Sequence, residues 1–313
     1  MESVFSTTLP VFSLILLGFS LSKSGVISPQ GTSGLVAFVF YVAVPALVFR
    51  SSNTALTLQS LEIEMMVLYY GCHLSLFFLA LFFAKHGFAC NAQESAIFAM
   101  GAIFSNVILV GLPLIKASFG DEGVIALMTI VVIHTLVFYT LPSVLIEASN
   151  SGKLRLIEVV SCILSTVVKN PIIMAILLGV VWSSSQLAMP SYIDNMTRLL
   201  ANAATPCALF VVGASVAQFK LSGNIRLVAV MVFVKLVIAP VAVWFIGFYW
   251  TSLSPLWLAV AIVTAAMPIG ANVFLLSGRY QVLTGESSSA IALSTLLSAF
   301  SLSLVLYFLP VAR

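Results

Sequence analysis

Two short stretches of the sequence combine asparagine, glycine and proline inside long apolar runs. Their residues are Asn106, Gly111 and Pro113 in the first stretch and Pro268, Gly270 and Asn272 in the second. Proline removes a helical hydrogen bond and collides with the carbonyl four residues earlier, and glycine adopts conformations closed to other residues. We therefore predict that both helices break at these points and that the two breaks cross.

Crossed breaks would expose backbone N–H groups at the start of each second half-helix. These groups and the helix dipole place partial positive charge at a helix N-terminus, which favours an anion such as a carboxylate. The six residues named above are therefore the predicted substrate-binding residues. In the alternative interpretation the prolines only kink packed helices, but the matching composition of the two stretches favours a site.

Three ionisable side chains lie in the middle of apolar runs, where a charge is costly and suggests a function. Lys235 lies about 15 Å along its run, at 1.5 Å per residue, close to the membrane midplane. It could bind the substrate, pair with an acidic side chain or bond carbonyls freed upstream of Pro240. His73 and His134 could carry a proton, because histidine titrates near neutral pH; each could instead bond a neighbouring helix.

Composition restricts the class of protein that must position these residues. The chain has 313 residues, of which 61% are hydrophobic and 7% charged, with a formal net charge of +3. A soluble domain carries about 25% charged residues, so a water-soluble protein is excluded. The apolar content excludes disorder, and the scattered Lys and Arg residues exclude a nucleic-acid binder.

The apolar residues form ten runs that are long enough to cross a bilayer as helices, which needs about 20 residues. These runs cover residues 3–22, 33–51, 62–84, 94–116, 122–146, 168–185, 196–217, 225–249, 255–277 and 286–309. The first run lacks a cationic leader, so we expect it to be a span and not a cleaved signal. The sequence predicts an all-α, multi-pass protein of the cell membrane.

The sequence also contains an internal repeat. Shifted by 161 positions, four proline or glycine residues coincide, and the fourth run overlays the ninth. The predicted units are a first five-helix repeat (1–150), an amphipathic cytoplasmic linker (151–167) and a second repeat (168–313). Five spans is an odd number, so the second repeat is inverted, as in many secondary transporters. The alternative is a helical bundle with coincidental prolines.

Basic residues predict the orientation of the spans. With the N-terminus outside, eight Lys or Arg residues fall in inner loops and four fall outside. The positive-inside rule therefore favours an outer N-terminus and an outer C-terminus.

The motifs resemble the auxin efflux carrier family, which includes plant auxin exporters and bacterial dicarboxylate carriers. The stretch from Asn106 through Gly111, Pro113 and Lys116 to Gly120 is similar to the fourth span of that family. Similar stretches run from Phe40 to Phe49, at Asn170-Pro171 with Leu178-Gly179, and from Met267 to Phe274. The short connection between the repeats resembles the short members of the family, which lack a long central loop.

This resemblance implies ten spans in two inverted repeats, with crossing helices four and nine and an elevator-type movement. It implies transport of a small organic anion whose carboxylate meets the crossing, with site roles for the six residues above. Lys235 falls where relatives also place a basic residue. No cofactor, metal or nucleic acid is expected. The expected partners are the anion and the lipid bilayer, with a homodimer left open.

Two other functions remain open from the sequence. A sodium-coupled symporter of the bile-acid type shares a similar ten-span plan, and a membrane sensor could retain the carrier fold. An enzyme is not expected, because the chain lacks the metalloprotease and serine-hydrolase motifs.

Overall fold

The chain folds almost entirely into helices. The computed structural model describes residues 2–55, 62–151, 170–185, 188–219 and 221–309. Among these residues the single β-type pairing is an isolated antiparallel bridge between Ser105 and Ile269. The predicted linker, residues 151–167, lies outside the described residues except for its first residue.

Thirteen α-helices follow one another in the described residues. Their bounds are α1 Glu2–Lys23, α2 Pro29–Phe38, α3 Val44–Ala55, α4 Ile63–Gly87, α5 Ala92–Ile103, α6 Leu112–Ser151, α7 Pro171–Ser184, α8 Ser191–Val216, α9 Ile225–Phe233, α10 Ala239–Trp250, α11 Pro255–Ala265, α12 Asn272–Tyr280 and α13 Thr284–Phe308. Three π-helical turns complete the helical segments: π1 Val39–Ala43, π2 Val107–Gly111 and π3 Val234–Ile238. Helix α6 is divided at Gly120, whose φ of 65° lies in the left-handed region that glycine tolerates.

Several of these helices are suited to a lipid environment. Six helical segments of the described residues are long and apolar enough to cross a membrane: Pro29–Ser52, Ile63–Gly87, Val107–Ser149, Ser191–Val216, Ile225–Trp250 and Thr284–Phe308. Three shorter apolar helices accompany them: Leu9–Lys23, Pro171–Ser184 and Pro255–Ala265. The prediction of an all-helical, multi-pass membrane protein is confirmed, whereas the count of ten crossings and the inverted repeat stay predictions.

Large apolar side chains cover the outer surface of the bundle. On α10 they include Trp244, Phe245 and Phe248, and on α4 they include Phe78 and Phe82, all of them exposed. In water such a surface would drive aggregation, but lipid tails solvate it without cost.

Each π turn ends two residues before a proline. The three prolines are Pro45 after π1, Pro113 after π2 and Pro240 after π3. A π turn is wider than an α turn, so it accommodates the proline ring and the missing N–H without ending the helix. Pro113 therefore lies in a continuous helix, and our attribution of the break to Pro113 is wrong, because the interruption lies upstream at Phe104–Asn106.

Helices α1 and α8 cross in direct backbone contact at two glycines. A Cβ atom on Gly213 would lie 1.8 Å from the carbonyl oxygen of Ile15, and one on Gly18 would lie 2.0 Å from that of Phe210. Small residues at such crossings let helices approach closely, which is how helices associate in lipid. Helix α3 packs against both α7 and α8, so α1, α3, α7 and α8 form one continuous panel.

An ion pair joins two helices of this panel at their ends. Arg50 Nη1 on α3 donates to Asp194 Oδ1 on α8 at 2.6 Å and to Thr197 Oγ1 at 3.0 Å. Helix α2 packs against α8 of the panel, and the remaining helices, α4–α6 and α9–α13, pack mainly among themselves, beside the panel. The chain thus divides into two groups of helices, and each group draws on both halves of the sequence.

Substitution of Gly213 tests the α1–α8 crossing. We expect Gly213→Ala to lower the melting temperature of the detergent-solubilised protein by several degrees, because the added methyl group overlaps the backbone of α1. Gly71→Ala on α4 is the matched control, since a Cβ there meets nothing within 4 Å. Equal melting temperatures for both variants would contradict this contact.

Candidate functional site

Two interrupted helices cross near the middle of the bundle. Helix α5 ends at Ile103, and Phe104 then adopts an extended conformation with φ −72° and ψ 112°. Helix α11 ends at Ala265, and its continuation α12 begins at Asn272. The predicted break in both helices is therefore present.

The two breaks pair with each other through their backbones. Asn106 N donates to Pro268 O at 2.9 Å, and Gly270 N donates to Phe104 O at 3.0 Å. Between these bonds, Ser105 and Ile269 form the antiparallel bridge. The pairing satisfies backbone groups that lipid could not, and it fixes both half-helices at one point.

Side chains from surrounding helices hold this crossing in place. Ser294 Oγ on α13 accepts from Ile269 N at 3.0 Å, and Ser105 Oγ donates to Thr264 O at 2.9 Å. Ser105 Oγ also lies 3.2 Å from the hydroxyl of Tyr69 on α4. All of these side chains are buried, and hydrogen bonds in such surroundings are stronger than in water, so each bond stabilises the crossing.

Lys235 on π3 also supports the crossing. Its side chain is fully buried, and its ammonium group donates to the carbonyl of Ala265 at the C-terminal end of α11. A cation at that end complements the negative pole of the helix dipole. The carbonyl bound by Lys235 thus belongs to another helix, and not to the turn upstream of Pro240.

Both second half-helices begin at the crossing. Asn106 Oδ1 accepts from Leu109 N at 3.3 Å and caps the turn that leads into α6. No side chain caps the first turn of α12, which starts beside Gly270. Within this turn Val273 N donates to Gly270 O at 3.1 Å, and the partial positive charge of the helix N-terminus allows this end of the crossing to bind an anion.

A cavity of about 510 Å³ opens beside the crossing. Crossing residues Ser105, Asn106, Gly270, Ala271 and Asn272 form part of its wall. The other polar lining residues come from α2, π1, α6 and the start of α7: Ser33, Tyr41, Thr135, Tyr139 and Asn170. The volume suits a small molecule, and among the described residues no charged side chain lines the cavity.

The lining residues also give the position of the cavity along the bundle. Ser33, Val36 and Ala37 belong to the first half of α2, and Asn170, Ile172 and Ile173 mark the start of α7. The cavity therefore extends from the crossing toward the face of the protein where α2 and α7 begin.

The predicted site residues separate into two groups. Asn106, Gly270 and Asn272 line the cavity. The others lie near the crossing without being part of the cavity wall: Gly111, Pro113, Pro268, Lys235, His73 and His134. Among these, Pro268 supplies the carbonyl that binds Asn106, and Gly111 N donates to Asn106 O at 3.0 Å.

Sequence reasoning missed six polar residues of the cavity: Ser33, Tyr41, Ser105, Thr135, Tyr139 and Asn170. Tyr41 lies in the stretch from Phe40 to Phe49 that resembles the family, but it was not identified as a site residue. Ser105 precedes Asn106 and Asn170 precedes Pro171, so both were adjacent to recognised motifs. The other three residues lie in ordinary helical runs on α2 and α6, where no local pattern distinguishes them.

Substitution of Gly270 tests the close contact of the two backbones at the crossing. A Cβ there would lie 2.7 Å from Cδ1 of Phe104 and 3.2 Å from the carbonyl oxygen of Ser105. We expect Gly270→Ala to lower the melting temperature by several degrees, because the methyl group separates the paired backbones. Gly278→Ala on α12 meets nothing within 4 Å and should melt like the parent protein. A Gly270→Ala variant as stable as this control would contradict the tight crossing.

Comparison with known proteins gives consistent matches along the chain. A family model described as a membrane transport protein matches residues 3–306. The chain is 24% identical over 311 residues to a putative malonate transporter of Rhizobium meliloti (strain 1021), covering 98% of this chain and 96% of that protein. It is 23% identical over 300 residues to the uncharacterized transporter YfdV of Escherichia coli (strain K12), with 92% of each chain covered.

A plant protein matches over a similar extent. The chain is 23% identical over 363 residues to auxin efflux carrier component 8 of Arabidopsis thaliana, covering 98% of this chain and 97% of that protein. Because the family model spans nearly the whole chain, the chain belongs to this membrane transport protein family, the auxin efflux carrier family that its motifs resemble, and it is an integral membrane transporter and not an enzyme.

Proposed function

We propose that the protein is a secondary carrier that moves a small organic anion, a carboxylate, across the cell membrane. The observation that carries this proposal is the cavity beside the helix crossing, whose wall includes Asn106, Gly270 and Asn272. The uncapped first turn of α12 would supply N–H donors to one carboxylate. The amides of Asn106 and Asn272 would add neutral hydrogen-bond donors beside it.

The lining explains how an anion could be both bound and released. Neutral donors and a helix dipole hold a carboxylate without a fixed ion pair, which would be costly to separate inside the membrane. The hydroxyls of Ser33, Thr135 and Tyr139 would contact the remainder of a small polar substrate. The name of one relative, a putative malonate transporter, makes malonate the first anion to test.

The proposed architecture has ten crossings in two inverted five-helix repeats, residues 1–150 and 168–313, joined by the linker 151–167. Helices occupy all ten predicted runs in the described residues. The contacts of α1 with α8 and of α3 with α7 support the inversion, because the repeat makes these two pairs equivalent. The antiparallel pairing of the two breaks is also what an inverted pair would produce.

Transport would proceed by an elevator movement. The panel of α1, α3, α7 and α8, fastened by glycine contacts, would be the scaffold. Helices α4–α6 and α9–α13 would slide against it and carry the crossing with the bound anion. With both termini outside, the face where α2 and α7 begin would be cytoplasmic, and the cavity would be accessible from that side.

Substitution of the two asparagines tests the binding site. In liposomes preloaded with malonate, we expect Asn106→Ala and Asn272→Ala to reduce exchange of radiolabelled malonate by well over tenfold, since each removes an amide from the cavity wall. Asn202→Ala, at an exposed position of α8 outside the cavity, is the matched control. Near-normal exchange in both cavity variants would exclude this site.

Lys235 allows binding to be separated from movement. Because Lys235 supports α11 and does not line the cavity, we infer that it positions the crossing. We expect Lys235→Met to reduce malonate exchange by about tenfold, which corresponds to 1.4 kcal/mol. Malonate should still raise the melting temperature of this variant, because ligand binding stabilises the folded state.

The same measurement on Asn106→Ala provides the comparison, since that variant should lose the stabilisation by malonate. If Lys235→Met loses it as well, Lys235 contacts the substrate, and the positioning role is wrong.

A further inference from the structure

A cluster of aromatic and imidazole rings lies directly behind the crossing. It consists of Tyr69 and His73 on α4, His134 and Phe138 on α6, and Phe104; we call it the histidine cluster. The ring of His134 is fully buried and lies 4.9 Å from that of Phe104, 5.2 Å from that of Phe138 and 5.9 Å from that of Tyr69. Phe104 and Thr135 line the cavity, so His134 is one layer behind the cavity wall.

Both ring nitrogens of His134 are buried, and neither makes a hydrogen bond of ordinary geometry among the described residues, although the backbone of Ser105 is close to the ring. A neutral imidazole carries one N–H donor and one acceptor, and native proteins rarely bury either without a partner. His73 differs, because its Nδ1 lies 2.8 Å from the carbonyl oxygen of Tyr69 and only its Nε2 is unpaired. His134 is thus the less satisfied of the two histidines.

The second repeat has a position equivalent to that of Phe104. Phe104 and Ala265 are 161 positions apart, the shift of the internal repeat, and each lies at the C-terminal end of the first half of a broken helix. At Ala265 that end is bound by the ammonium group of Lys235. At Phe104 the adjacent side chain is the titratable His134. A helix C-terminus favours a cation, whereas the complete burial of His134 opposes one.

The charges around His134 show what controls its protonation. The ionisable side chains that face it are Tyr69 and His73 from α4 and Lys235 from π3. The acidic residues of α4, α5 and α6 are near helix ends or beside the kink of α6 at Gly120: Glu64, Glu94, Asp121, Glu122 and Glu147. Lys235 opposes a second positive charge, whereas a carboxylate held at the crossing would favour it.

We propose that His134 is the proton-binding site that couples carboxylate transport to proton movement. One proton from the aqueous phase binds a free ring nitrogen of His134 as the carboxylate enters the cavity, and both leave on the opposite side. Binding of the anion and binding of the proton favour each other reciprocally. This inference rests on the proposed function, because it requires an anion in the cavity beside the crossing.

The test compares proton-driven uptake with exchange in the same liposomes. Radiolabelled malonate is the probe, the membrane potential is held near zero, and the outside is more acidic by about one pH unit. One proton per malonate would then support accumulation of about tenfold, since one pH unit corresponds to 1.36 kcal/mol. Exchange with internal malonate at equal pH measures carrier activity without the gradient.

We expect the ratio of gradient-driven uptake to exchange to fall by several-fold, to the level without a gradient, in His134→Gln. The glutamine amide retains hydrogen-bonding atoms but does not titrate. His134→Phe, which fills the same aromatic surroundings, provides a second variant, and melting curves report whether each is folded. His86→Gln is the matched control, because His86 is exposed at the end of α4 and stacks on Phe82 outside the cluster.

Three results decide between the possibilities. A wild-type ratio in either folded His134 variant would overturn the assignment of the proton site. Wild-type exchange that does not respond to the pH gradient would overturn proton coupling and leave the proposed carrier function intact. Loss of wild-type exchange itself would contradict the proposed function, and the proton site would fall with it.

Discussion

Backbone polar groups inside a membrane must be paired within the protein, because lipid offers no hydrogen bonds. Two broken helices would each violate this requirement, yet here each break supplies the partners of the other. Asn106 bonds to Pro268 and Gly270 bonds to Phe104, so neither break is stable in this form without its partner. The cavity, the free helix terminus and the buried polar side chains around them all depend on this exchange of hydrogen bonds.

Buried side chains around the crossing also pair polar groups that lipid could not. Ser294, Thr264 and Ser105 satisfy polar groups at the crossing with neutral bonds, and Lys235 adds the one cation described there, at a helix C-terminus. Lys235 is buried behind the crossing, and the cavity wall contains only neutral polar and apolar groups among the described residues, Ser105 included. A protein with few charged residues can therefore bind an anion, since oriented backbone dipoles take the place of charged side chains.

Proline has different effects in this fold, and its context determines which. Pro45, Pro113 and Pro240 each follow a π turn and continue the helix, whereas Pro268 lies within a true interruption. Glycine contributes in a similar way at close contacts: Gly18 and Gly213 bring two backbones together, and Gly270 leaves room for Phe104. The positions of proline and glycine in the sequence therefore show where a helix is distorted or closely packed. They do not show whether the helix continues through a π turn or breaks, because that depends on whether the neighbouring helix offers a donor to the freed carbonyl.

Much of the protein could be read from its sequence. The low charge and the long apolar runs determined a helical membrane protein, since no soluble fold can bury so much apolar surface. The paired Asn, Gly and Pro residues predicted two breaks and three of the residues that line the cavity, Asn106, Gly270 and Asn272.

The tertiary structure determines which residues from distant parts of the chain meet, and the local sequence does not contain this information. Ser33, Thr135, Tyr139 and Asn170 meet at one cavity only because three separate helical segments, α2, α6 and the start of α7, converge there. Lys235 lies behind the crossing because its side chain reaches from π3 to the end of α11, and His134 adjoins Phe104 because α6 packs against α5. Composition and spacing show whether a segment belongs in lipid. The hydrogen-bond partner of each polar group depends instead on contacts between residues far apart in the chain.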